Sequence, residues 1–321
     1  MRASRYIPGG FFCLAQMQSF YNKFSDFMRL KYGQNVWKIS LDAGLSCPNR
    51  TQDGKEGCIF CRNDSFSAMG ARRQMSIRQQ MQEGIALARQ KRGIRKFLAY
   101  FQSSTNTFAP VTQLAALYEQ ALAFDDVVGI AISTRPDCLP ANVIELIRSL
   151  TDRCDVWVEL GLQSSHDATL AKIHRGHTFA DYERAVAALQ KINVRICSHV
   201  IIGLPGESRD EIITTAGRVA SSGIDEVKIH PLLILRETPL DSMYRRGEIQ
   251  PLAMADYVSL AVDFVEQLPP HMVIQRLTAE SRKNILVEPQ WCANKSRVLG
   301  AIDAEFAKRG TRQGAACQSH A

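Results

Sequence analysis

Val36-Trp37-Lys38-Ile39-Ser40-Leu41 runs into Ser46-Cys47-Pro48-Asn49-Arg50 and then into Gly57-Cys58-Ile59-Phe60-Cys61. The first run is apolar and reads as a strand. It ends at a loop holding three cysteines and bounded by glycine. A closed structural zinc site takes four ligands. Three protein ligands leave one coordination position open. Thiolates suit iron–sulfur clusters, zinc or copper(I), and the first histidine of the chain is as distant as His166. Cys47, Cys58 and Cys61 therefore point to an iron–sulfur cluster with one iron free to bind a further ligand. Zinc with a fourth ligand from elsewhere, and unliganded thiols, stay open as alternatives.

Outward from this loop, short apolar runs alternate with amphipathic stretches. Strands are expected over Val36 to Leu41, Lys96 to Phe101, Val127 to Ser133, Asp155 to Leu160, Arg195 to Ile202 and Glu226 to His230. Helices are expected over Ser76 to Gln90, Val111 to Phe124, Ala141 to Ser149, Phe179 to Lys191 and Ser208 to Ser221. In the first of these, Ile77, Met81, Ile85 and Ala88 fall at helical spacing. Such alternation makes a parallel sheet with right-handed crossovers, either doubly wound or curled into an arc. The polar and glycine-rich motifs follow strand C-terminal ends, where parallel barrels place their sites. The fold class is thus α/β, a partial (β/α)6 TIM-like barrel over residues 17–232. Residues 233–321, less regular and with one good helix near Met254 to Gln267, form a small extension packed on the core and capping the barrel mouth. Residues 1–16 read as an upstream extension, with Met17 as the natural start.

The chain has 321 residues, a net charge of +7 and a sequence pI of about 9.0. This modest excess permits an anionic partner without identifying one. Basic residues gather at Arg72-Arg73, from Arg89 to Lys96, at Arg245-Arg246 and near the C-terminus, and each group can equally be a solvated helix face. No run approaches the roughly 18 apolar residues of a membrane span. Nine cysteines, an odd number without framework spacing, read as free or metal-bound thiols in a cytoplasmic protein.

Further motifs stand at the strand ends. They are Tyr100-Phe101-Gln102, Ser133-Thr134-Arg135-Pro136-Asp137, and Trp157-Val158-Glu159-Leu160-Gly161-Leu162-Gln163-Ser164 with Ile173-His174-Arg175-Gly176-His177 beyond it. Val200 to Glu207, Lys228-Ile229-His230-Pro231 and Pro289-Gln290-Trp291-Cys292-Ala293-Asn294-Lys295 follow. With the C-x10-C-x2-C loop, and Phe60 before its last cysteine, the chain resembles the radical S-adenosylmethionine superfamily. Its core resembles the radical domain of the Elongator catalytic subunit, whose acetyltransferase domain has no counterpart here. From about Met17 nearly the whole chain is similar to bacterial YhcC-type proteins.

The resemblance implies one 4Fe–4S cluster on Cys47, Cys58 and Cys61, with S-adenosylmethionine chelating the open iron and an electron arriving from a flavodoxin- or ferredoxin-like donor. Reductive cleavage would give a 5′-deoxyadenosyl radical that abstracts hydrogen from substrate. It also implies roles for the strand-end residues. Gln102 would contact the cofactor amine, although the Gly-Gly-Glu common at that place is missing here. Arg175 would pair with the methionyl carboxylate, and Arg135 is a further cofactor contact. Glu159 and Gln163 would bind ribose hydroxyls or other polar atoms. Backbone amides from Gly203 to Gly206, Leu204 included, would approach the adenine or the carboxylate, and His230 to Leu232 would lie over the adenine. Each has a plainer reading. Arg175 can be a surface ion pair, Arg135 a structural partner of Asp137, the Gly203 turn an ordinary connection, and Gln102 a satisfied polar group. Cys292 is the candidate catalytic thiol, as hydrogen donor or covalent anchor, against simple packing at the barrel mouth. The substrate implied is a wobble uridine of tRNA. The same chemistry on a small metabolite or a peptide is the second reading, and a zinc-stapled nucleic-acid-binding module without catalysis is the third.

Overall fold

The computed structural model describes residues 19–50, 57–62, 75–102, 104–279, 281 and 284–317. The expected extension before Met17 and the Arg72-Arg73 pair lie outside the described residues, as does the middle of the cysteine loop.

The chain begins with helix α1 (Phe24–Tyr32) and strand β1 (Val36–Leu41), and then alternates as the apolar periodicity requires. α2 (Ile77–Arg92), β2 (Lys96–Phe101), α3 (Val111–Leu122), β3 (Val127–Thr134), α4 (Ala141–Leu150) and β4 (Asp155–Gln163) come first. α5 (Asp167–Lys172), α6 (Phe179–Leu189), β5 (Arg195–Ile202), α7 (Arg209–Ser221) and β6 (Glu226–Pro231) follow. Ser76, Thr178 and Ser208 start α2, α6 and α7 with capping boxes. Each box satisfies backbone donors that the first helical turn leaves over. The extension adds β7 (Ile234–Leu235), α8 (Pro239–Arg245), α9 (Met254–Glu266), β8 (Val273–Arg276), β9 (Leu286–Glu288), a 3-10 turn at Gln290–Ala293, and α10 (Lys295–Arg309).

β1 to β6 pair in chain order, all parallel, and form the expected curled half-barrel. The sheet has a seventh strand, however. β8 comes from the segment expected only to cap the mouth, and it joins β6 in parallel. The extension therefore contributes to the sheet itself. The edge strands β1 and β8 do not pair, but Lys38 Nζ on β1 reaches Gln275 Oε1 on β8 at 2.5 Å.

Apolar side chains on the outer face of the sheet pack under the helices in one continuous core, from Ile39 and Phe97 to Ile229 and Phe306. The inner face is different. At its lower end Leu98, Ala131 and Trp157 meet Met28 of α1, with Phe24 and Phe27 around them. α1 thus plugs the bottom of the half-barrel. Above this plug the interior is polar.

A candidate cofactor site at the mouth of the half-barrel

The cysteine loop leaves β1 at the C-terminal edge of the sheet and is held from two sides. Ile59 N–H donates to the Ile173 carbonyl at 3.1 Å, beyond β4, and the Ile59 carbonyl accepts from Leu240 N–H of α8 at 2.9 Å. Ile59 is buried with Ile173, Leu204, Ile234 and Leu240, and Phe60 and Leu232 pack against the same group. Arg62 donates to the Arg236 carbonyl at 2.8 Å and pairs with Glu237. Between Cys58 and Cys61 the chain turns, with Cys61 N–H on the Cys58 carbonyl.

Two N–H donors converge on Cys58. Asn49 Nδ2 and Arg175 Nη1 each lie 3.5 Å from its sulfur. The rest of the Arg175 fork grips the Gly161 carbonyl, through Nη2 at 2.6 Å and Nε at 3.2 Å. A side chain at Gly161 would put its Cβ 2.5 Å from Arg175 Nη2, so this approach needs glycine. Gly176, in left-handed backbone at φ +75°, leaves equivalent room for Asn49 Oδ1. Arg135 holds the far side. It pairs through two hydrogen bonds with Asp137, at 2.9 and 2.8 Å, and donates to the Arg175 carbonyl at 2.7 Å. Arg135 is thus the structural partner of Asp137 and braces the Arg175 backbone.

Three cysteine thiols are a donor set suited to an iron–sulfur cluster. Zinc needs its ligands about 2.0–2.3 Å from one point. Among the described residues no group of three His, Cys, Asp or Glu side chains forms such a position. Cysteine thiolates on an iron–sulfur cluster bind separate irons and stand further apart. Burial and then the neighbouring Cys58 push the Cys61 thiol up, while Arg50 opposes them; metal binding releases that proton.

Buried polar atoms without a hydrogen-bond partner collect at this same edge. They include Ser104 Oγ and Asn106 Oδ1 after β2, Gln163 Oε1 at the end of β4, and Thr278 Oγ1 and Ser281 Oγ after β8. Native interiors leave few such groups unpaired, and five of them stand at this edge of the sheet. Gln163 is held in left-handed backbone at φ +77°, at a bulge in β4, which turns it into the mouth. Gln102 directly follows β2 and accepts from Ser40 Oγ at 3.3 Å. His230 ends β6, half-buried, with Nδ1 on the Pro231 carbonyl. Gly203 and Leu204 directly follow β5, Gly203 pressed against Leu252.

Two expected residues are placed elsewhere. Glu159 lies deeper, fully buried. Its carboxylate is ion-paired with Lys228 and with Lys38 at 3.4 Å, and accepts from His199 at 3.0 Å and Ser133 at 3.1 Å. It is committed to the barrel interior rather than offered to ribose hydroxyls. Cys292 is fully buried among Leu233, Leu235, Ala279 and Leu286. Burial, with a lesser effect of Glu288, pushes its thiol up to about 12. In place of the expected catalytic thiol, the structure shows a packed apolar one. Asn49, Lys38, Lys228, His199 and Arg276 had no role in the sequence reading. The signal was available for three of them, since Lys38, His199 and Lys228 are polar residues within otherwise apolar strands.

The chain belongs to the radical SAM superfamily. The superfamily's model matches residues 47–219, and the model of the Radical_SAM C-terminal domain matches residues 224–308. It is similar to Protein YhcC of Escherichia coli (strain K12), at 37% identity over 92% of this chain and 96% of that protein. It is 29% identical to the tRNA uridine(34) acetyltransferase of Methanocaldococcus infernus, over 58% of this chain and 34% of that one. Among solved structures, the archaeal Methanocaldococcus infernus Elp3 with an N-terminal deletion shares the fold, with a TM-score of 0.68 at 18% identity over 87% of this chain and 64% of that one.

Proposed function

We propose that this chain is a radical SAM enzyme whose 4Fe–4S cluster sits on Cys47, Cys58 and Cys61, and whose substrate is a uridine of tRNA. The observation that carries the reading is the clamped three-thiol loop at the one sheet edge where unpaired buried polar atoms collect. S-Adenosylmethionine on the open iron would supply a 5′-deoxyadenosyl radical once an electron arrives from a flavodoxin- or ferredoxin-like donor. The residues have separate tasks. Asn49 and Arg175 neutralise the Cys58 thiolate with N–H donors. The remaining N–H groups of Arg175, Gln163 Oε1 and Gln102 would orient the methionyl and ribose ends. Ile59, Phe60 and Leu204 wall the site with apolar surface and keep water from the cluster.

The tRNA part rests on the similarity to a tRNA uridine(34) acetyltransferase and on the positive net charge. A base reaching a recessed site must leave its stack. Two measurements test the proposal. Protein purified anaerobically should contain about four irons with matching sulfide; zinc without sulfide would return the chain to a zinc-stapled module. Modified nucleosides in bulk tRNA should differ between cells with and without the protein. An unchanged profile would move the substrate to a small metabolite or a peptide.

A further inference from the structure

The polar interior beneath the mouth holds more positive charge than it balances. Glu159 is shared by Lys38 and Lys228. Lower down, Glu226 is matched by Arg195 at 2.6 Å and by Trp157 Nε1 at 2.9 Å. Arg276, the last residue of β8, adds another cation. The pairing of β8 with β6 slips at this point: Val227 is opposite Ile274, and the next residue, Lys228, is opposite Arg276. Gln275 already points inward, to Lys38 and Glu226, so simple alternation would send Arg276 outward. The bulge re-aims it and sets it beside inward-facing Lys228. Its charge is felt there by Tyr100, His199 and His230. Among the described residues the half-buried Arg276 guanidinium has no hydrogen-bonded or ion-paired partner. Thr278, two residues on, is buried and its hydroxyl is also unpaired.

We infer that Arg276, flanked by Lys228 and followed by the Thr278 hydroxyl, forms an oxyanion subsite that takes a phosphate or carboxylate group of the substrate. The inference rests on the mouth being the active site, as proposed above. A guanidinium fork matches either anion through two hydrogen bonds. The subsite is separate from the Arg175 corner: β8 lies three strands from β4 in the sheet order, roughly 14 Å along the sheet at about 4.8 Å per strand. His199 and His230 beside it are kept neutral, lowered to about 4 and about 3 by burial and then by cationic neighbours. Their single N–H groups are already taken, His199's by Glu159 and His230's by the Pro231 carbonyl, so the donors and the positive charge for an anion come from Arg276 and Lys228.

Inorganic phosphate and acetate, each titrated calorimetrically into the full-length protein before cluster reconstitution, test this directly. Wild type should bind one of them saturably, and Arg276→Gln should weaken that binding by about tenfold or more, as loss of a charge-assisted hydrogen bond requires. Arg276→Lys should recover part of the loss. Arg148→Gln, which removes an exposed arginine paired with Glu145 on α4, should bind as wild type does and so exclude diffuse attraction to a basic protein. A preference for phosphate assigns a phosphorylated group; a preference for acetate assigns a carboxylate. Equal affinity in wild type and Arg276→Gln, or no saturable binding in wild type, overturns the subsite. If Arg276→Gln loses its near-UV circular dichroism, Thr278→Val and Arg276→Lys carry the comparison, and wild-type affinity in both overturns it. The titration needs no cluster. Anion binding at Arg276 in a protein that fails to assemble iron and sulfide would leave the subsite standing and remove the radical reading.

Discussion

Glu159 shows how much the interior depends on single side chains. Burial alone would raise its carboxyl pKa, but Lys228, Lys38 and His199 outweigh burial and hold it well below the usual carboxylate range. Glu159→Gln would leave the buried Lys228 and the half-buried Lys38 without this counter-charge, which costs on the order of 3–5 kcal/mol; urea unfolding of the apo protein measures it, and an unchanged midpoint would contradict the network. His199 is a neutral donor to this carboxylate, lowered to about 4 by burial and then by Lys228. Between pH 6.5 and about 4 the unfolded chain therefore binds a proton that the folded one refuses, so stability falls as pH drops through that window. The fall should be shallower in His199→Gln, and parallel curves would remove His199 from the account. At Cys58, the Asn49 donor withdraws charge from the sulfur. Asn49→Ala should lower the midpoint potential of a reconstituted cluster in a spectroelectrochemical titration, whereas a purely structural Asn49 would leave the potential in place.

At the level of elements, what the sequence showed follows from periodicity. β1 to β6 and most of their helices were readable because each strand is a short run of mainly β-branched or aromatic apolar residues and each of those helices has an apolar stripe. β8 was not, because Val273 to Arg276 is only four residues, of which just Val273 and Ile274 are apolar. α5, six residues long, was too short to show a stripe. The three thiols stood out in the sequence as candidate metal ligands, with zinc and free thiols left open by the spacing alone. Their clamp was not legible, since it joins Ile59 to Ile173 and Leu240, neighbours only after folding. Nor was the turning of Gln163, because a left-handed non-glycine residue leaves no mark in composition. The clamp makes a prediction of its own. Leu240 is fully buried against Ile59, so Leu240→Ala should cost about 2–5 kcal/mol and reduce iron incorporation on reconstitution. Full incorporation with normal stability would mean the loop holds its shape without α8.

For the molecule as a whole, charge and connectivity matter most. Two of the basic groups visible in the sequence are paired at least in part with acidic side chains: Arg245 pairs with Asp241, Arg246 with Glu248, and Arg309 with Asp263 and Glu305. Among the described residues no helix is long and apolar enough to cross a membrane. The expected boundary at residue 232 divides elements that share one sheet, because β8 pairs with β6 and α9 packs on α7 and α10. A chain ending at Leu232 should therefore show no cooperative thermal transition by circular dichroism. A sharp transition would make the extension a separable domain.

The plug formed by α1 has a kinetic meaning. With Met28 seated on Trp157 and Leu98, the lower end of the half-barrel is closed and only its mouth is left for entry. Under the proposed function, substrate and product would share that one entrance, and a product still in place would obstruct the next arrival. Turnover would then be paced by the clearing of that doorway, and an accumulated product would act as a competitor of the incoming substrate.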